Sequence, residues 1–109
     1  MNDLESRCLK FSLTTRDFCK TLKHDTINIV YIRQLVRSSS SIGANYIEAN
    51  EKLGKQDLLM RLKIARKEAK ETTYWLEHVI ADDTQLLSEL KQEAEELRRI
   101  LSAIINKLQ

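Results

Sequence analysis

The chain has 109 residues with no proline, two glycines, 42% hydrophobic and 31% charged residues. That limits it to one small domain over residues 1–109 and excludes collagen-like, glycine-rich and disordered polyelectrolyte classes. So few turn-formers cannot supply the tight turns of a sandwich or barrel.

Helical periodicity sets the elements. Leu4, Cys8, Phe11, Thr15, Phe18 and Leu22 recur at steps of four and three, the spacing of one helix face. Asn2 with Glu5 three residues on has the form of a capping box. Asp25 or Thr26 can cap a second segment, whose stripe carries Ile32, Leu35 or Val36, Ser39, Ile42, Tyr46 and Ala49. Gly54 breaks the chain before a third segment with Leu58, Leu62, Ala65, Ala69, Thr72, Leu76 and Val79. Asp82, followed by Gln85, opens a fourth with Leu87, Leu90, Ala94, Leu97, Leu101, Ile104 and Leu108. Four long helices joined by short loops predict an all-α, antiparallel up-down-up-down four-helix bundle.

No apolar run approaches the roughly 18 residues of a membrane span, and the start MNDLESRCLKFSL lacks the basic-then-apolar order of a signal peptide. A soluble, cytoplasmic protein without membrane contact is expected. Cys8 and Cys19 stand three helical turns apart on one face, too far for a disulfide, and read as small buried apolar groups. Leu9, Leu13, Ile27, Val30, Tyr31, Met60 and Ile64 lie off the main seams, and Ile100 and Ile105 widen the fourth. This excess of apolar positions suggests a subunit interface.

Signals for catalysis are weak. There is no glycine-rich phosphate loop, and neither His24 nor His78 stands in the Glu-x-x-His spacing of di-metal bundles. The serines from Ser38 to Ser41 have no histidine near them in sequence; in a helix such serines usually bond back to the preceding turn. No catalytic residue, metal or cofactor is expected. Ser41, Asn45 and Glu48 on the second segment and Glu71 and Thr72 on the third form a candidate polar layer that fixes helix register, with Ser38 and Glu68 beside it; a ligand or catalytic pocket is the sharper alternative. Its carboxylates need a cation, Arg37 or Lys67, because an unpaired buried charge is costly.

Charge is distributed unevenly. Residues 1–81 hold fourteen Lys and Arg against ten Asp and Glu, whereas residues 82–109 hold four against six. On the third segment Lys63, Arg66, Lys67 and Lys70 share a face, preceded by Lys52, Lys55 and Arg61. Such a stripe can neutralise phosphates and release counterions, giving salt-dependent binding of RNA or DNA. An ordinary solvated face, with Lys67 paired to Glu71 one turn on, is the plainer alternative. No aromatic interleaves with the stripe, so phosphate contacts rather than base stacking are expected.

The stretches SSSSIGANYIEANEKLGKQD and LKIARKEAKETTYWLE resemble the bacterial four-helix bundle proteins related to the 23S rRNA intervening-sequence proteins. These are similar in turn to the accessory variability protein of diversity-generating retroelements. The resemblance runs from about Arg37 to Leu76 through Ser-Ile-Gly-Ala-Asn, Glu48-Ala49, Ile64-Ala65, Lys67-Glu68, Glu71-Thr72 and Tyr74-Trp75-Leu76. It implies a four-helix fold, a ring-shaped homopentamer and no catalytic activity. It also implies Asn45 and Glu48 as signature positions facing Glu71 and Thr72. The partners it implies are RNA or DNA and a nucleic-acid-processing protein such as a reverse transcriptase. Gly54 stands where the family pattern favours a serine, and glycine is compatible with a helix start. The reading is therefore a non-enzymatic oligomer that binds nucleic acid through basic helix faces. The alternative is an adaptor that docks a partner polypeptide.

Overall fold

The first-turn N–H groups of a helix have no partner inside the helix, and three of the four helices here begin beside a side chain that accepts from them. Asn2 Oδ1 accepts from Glu5 N at 2.8 Å, Asp25 Oδ1 from Asn28 N at 2.8 Å, and Asp83 Oδ1 from Leu86 N at 2.9 Å. The computed structural model describes residues 2–109 as α1 (Asp3–Thr21), α2 (Asn28–Ala49), α3 (Lys55–Leu76) and α4 (Thr84–Leu108), with no strand among the described residues. The fourth cap falls on Asp83, one residue after the expected Asp82, whose carbonyl instead accepts from Thr84 N at 3.0 Å. Only half of the expected capping box forms at α1. The Glu5 carboxylate turns to α2 and accepts from Asn50 Nδ2 at 2.9 Å.

The turn from α2 to α3 needs two residues in the left-handed region, Lys52 at φ 62° and Gly54 at φ 112°. Glycine takes that conformation without steric cost, so the helix restarts where the sequence lacks a capping side chain. At the opposite end Asn28, almost fully buried, holds both remaining connections. Its Nδ2 donates to the Lys23 carbonyl at 3.0 Å and its Oδ1 accepts from Ile80 N at 3.3 Å.

Each helix packs on its sequence neighbours in an antiparallel four-helix bundle 44 Å long and 23 Å across, and α4 closes on α1 through the narrowest contact. The core runs the length of the bundle: Phe11 and Phe18 from α1, Leu35 and Ile42 from α2, Leu62 and Leu76 from α3, Leu97 and Leu101 from α4. Packing decides between neighbours that periodicity leaves equivalent. Leu35 is fully buried while Val36 is exposed, and Ile105 is buried while Ile104 stays at the edge of the core. The α1–α4 seam is clamped by Arg7, which meets Glu93 at 2.6 Å and Glu96 at 2.9 Å.

Candidate functional site

The phase of α3 separates its apolar and basic residues. Leu62, Ala65, Ala69 and Leu76 face the core, which turns Lys63, Lys67 and Lys70 into solvent and leaves Arg66 half-buried towards α4. These four, with Arg98 and Ser102 of α4, line a shallow cleft between the two helices. Among the described residues no carboxylate lies within ion-pair distance of Lys63, Arg66, Lys67 or Lys70. The Lys67–Glu71 pair does not form, because Glu71 leans to α2, 3.6 Å from Arg37 Nη2. Arg98 is held by Glu95, and its guanidinium keeps that carboxyl below the usual carboxylate range. Four positive charges therefore crowd one side of one helix, and their mutual repulsion favours any anion placed among them.

The other cations of the sequence stripe sit elsewhere. Lys52 and Lys55 line a separate concavity with Asn2, Glu5 and Leu58 where α2 gives way to α3. Arg61 turns towards α2, 3.8 Å from Asp57 and 3.5 Å from Asn45 Oδ1.

The polar residues between α2 and α3 form a connected chain. Ser38 and Thr72, both fully buried, share a hydrogen bond of 2.9 Å across the helices. Thr72 also donates to the Glu68 carbonyl at 2.8 Å; a hydroxyl carries one proton, so the Ser38 hydroxyl supplies the proton between the two. Glu68 is buried, and its carboxylate accepts from Arg37 Nη1 at 3.0 Å. Arg37, not Lys67, is thus the cation of this layer. Ser41 Oγ donates to the Arg37 carbonyl at 2.7 Å, and Asn45 Nδ2 to the Ser41 carbonyl at 2.9 Å. Glu48 stands outside this chain, with its side chain exposed. Glu71 Oε2 and Trp75 Nε1, one turn apart, are buried with no hydrogen-bond partner among the described residues.

Among the described residues no serine hydroxyl or thiol hydrogen-bonds to a histidine. The hydrogen bonds of His24 and His78 go to the carbonyls of Cys19 and Tyr74, and Ser40 and Ser41 donate to carbonyls of their own helix. Among the described residues no three His, Cys, Asp or Glu side chains come together as a metal site, and no helix is long and apolar enough to cross a membrane.

Residues 3–108 match the family model described as 23S rRNA-intervening sequence protein. The chain belongs to this family. A solved structure from Bacteroides thetaiotaomicron, described as a protein with unknown function from the S23 ribosomal protein family, is similar to it. The TM-score is 0.83 at 30% identity, covering 94% of this chain and 95% of that one. No curated protein matches the chain.

In this family member the fold brings in residues that spacing alone did not single out. Arg98 and Ser102 enter the basic cleft from α4, and Tyr74 continues the outward row of α3 one turn beyond Lys70. Tyr74 was legible as the fourth residue after Lys70, but its exposure was not. Tyr31, Tyr74 and Trp75 gather around His78, with ring centroids 4.9, 4.5 and 5.8 Å from the imidazole.

Proposed function

We propose that this protein is a non-enzymatic, homo-oligomeric helical bundle that binds RNA or DNA phosphates through the α3 face. The observation that carries the reading is the set of four unpaired cations, Lys63, Arg66, Lys67 and Lys70, on one side of α3. Ordinary solvated faces intersperse both signs and pair many of their charges. The name of the family, which links it to intervening sequences of 23S rRNA, supports the same reading. Lys52 and Lys55 extend the positive field towards the α2–α3 turn as secondary contacts, whereas Arg61, beside Asp57 and turned to α2, stands apart from this face.

Self-association, with a pentameric ring as the expected form, is supported by Leu9, Leu13 and Val30, which the single chain leaves 39–52% exposed and which lie away from the basic face of α3. Five copies carry a formal charge of about +10 and make weak phosphate contacts act together. Cytoplasmic residence agrees with two free buried thiols.

Retention on immobilised RNA and DNA across a salt series tests the proposal. Wild type should bind at low salt and elute as salt rises, with log K falling by about 0.7–0.9 per tenfold rise in salt for each phosphate neutralised. The Lys63→Glu, Arg66→Glu, Lys70→Glu variant should stay folded and lose retention. No retention of wild type at low salt would overturn the reading. The adaptor alternative would then lead, because Leu9, Leu13, Val36 and Ile47 are each exposed on α1 and α2 and offer apolar contacts to a partner polypeptide.

A further inference from the structure

The basic row of α3 ends in an aromatic. Lys63, Lys67, Lys70 and Tyr74 succeed one another at steps of four, three and four, which keeps them on one face of the helix. Tyr74 is 58% exposed, the most exposed aromatic of the chain among the large hydrophobic side chains turned to solvent. Its ring is packed against two others. Trp75, the next residue of α3 (centroids 5.2 Å, planes at 68°), and His78, in the turn that follows α3 (4.5 Å, 61°), prop it edge-on. Of the two carboxylates three residues from it, Glu71 is drawn to Arg37 on α2 and Glu77 lies 3.4 Å from Lys91 on α4.

We propose that Tyr74 is a base-stacking platform, so that the α3 site takes single-stranded or locally unpaired nucleic acid whose backbone runs along Lys63, Lys67 and Lys70. This rests on the nucleic-acid reading above and narrows it to a substrate class. Bases stack on aromatic rings with little regard to sequence, whereas a duplex keeps its bases turned inward and offers only phosphates. From Lys63 to Tyr74 the helix rises about 16 Å. A stacked single strand advances about 3.4 Å per nucleotide, so some four or five nucleotides span the row. The cations hold the backbone, and the propped ring receives the base at the end of it. A pre-set ring loses little rotamer freedom on binding.

The test compares a fluorescent oligouridylate RNA of about 15 nucleotides, in the range of single-strand site sizes, with an RNA duplex of the same length, by anisotropy titration. Tyr74→Ala should weaken single-strand binding roughly 5- to 150-fold, the range of one lost stacking contact, and leave duplex binding unchanged. Tyr74→Phe should retain affinity and Tyr74→Leu should not. Because no phosphate contact is removed, the salt slope of Tyr74→Ala should equal that of wild type, while Lys70→Ala should make it shallower by about 0.7. Equal loss on both probes, or no loss on the single strand, overturns the platform and leaves the nucleic-acid reading standing. A changed oligomer size for Tyr74→Ala in light scattering also overturns it, since the ring would then belong to a subunit contact. If wild type binds neither probe at low salt, platform and nucleic-acid reading fall together.

Discussion

Gly43 of α2 and Cys8 of α1 fix how closely the first two helices approach. A Cβ built on Gly43 would lie 3.1 Å from the Cβ of Cys8, which is itself buried. That distance is tight, and the atom it meets is the root of a packed side chain and not a flexible end. Gly43→Ala gains about 1 kcal/mol of helix propensity but must displace α1, at a cost of about 1–3 kcal/mol for overpacking. The expected outcome is a net loss of about 1 kcal/mol in urea denaturation, and a larger loss for Gly43→Val. A higher melting temperature for Gly43→Ala would show that α1 yields.

The Ser38–Thr72 bond predicts an order among polar variants. Thr72→Val keeps the shape but leaves the Ser38 hydroxyl buried without its partner across the helices, costing about 1–2 kcal/mol and lowering Tm by roughly 5–10 °C. Asn45→Ala should cost less, about 0.5–1 kcal/mol, because its bond to the Ser41 carbonyl is only part-buried. A double-mutant cycle with Ser38→Ala should show that the pair does not add, since removing both partners leaves no orphan. Strict additivity would show that the two hydroxyls do not depend on each other.

Acid should loosen the α1–α4 seam. The hydrogen bond and charge of Arg7 hold the Glu93 carboxyl below its ordinary value. A carboxyl whose pKa is lower folded than unfolded stabilises the fold above its unfolded pKa, near 4.3. That contribution is lost as pH falls through the folded value. Both side chains remain partly in water, at 39% and 27% exposure, so the discounted contribution at neutral pH is about 0.5–1 kcal/mol. Glu93→Gln should be less stable than wild type by that amount at pH 7. The difference should shrink below about pH 4 and disappear once wild-type Glu93 is protonated. A gap that persists into strong acid would mean that Arg7 packs and does not pair.

The two thiols should be silent in the folded protein. Burial pushes Cys8 and Cys19 up to about 11, and the reactive species is the thiolate. At pH 8 a disulfide thiol probe should label neither thiol on the time scale of mixing, and both after denaturation in guanidinium. Rapid labelling of one thiol in native buffer would reveal local opening of α1.

The sequence by itself determined the four helices, the break at Gly54 and the core seam of α3. These follow from periodicity and from φ preference, which are properties of consecutive residues. The cap of α2 was readable to within one residue, Asp25 or Thr26, for the same reason: a side chain and the N–H groups it accepts from lie within three residues, and Asp25 is the one that does so. Tertiary structure decided whatever depended on a neighbour from another helix. Leu35 and Val36 are equally apolar and adjacent, and only the direction of α1 and α3 makes one core and the other surface. Glu71 could pair with Lys67 on its own helix or Arg37 on the next. The guanidinium that already holds Glu68 lies close enough to take it. That choice across the helix pair leaves Lys67 unpaired and completes the basic face, because a carboxylate leaning to α2 cannot also neutralise a lysine on the outer side of α3.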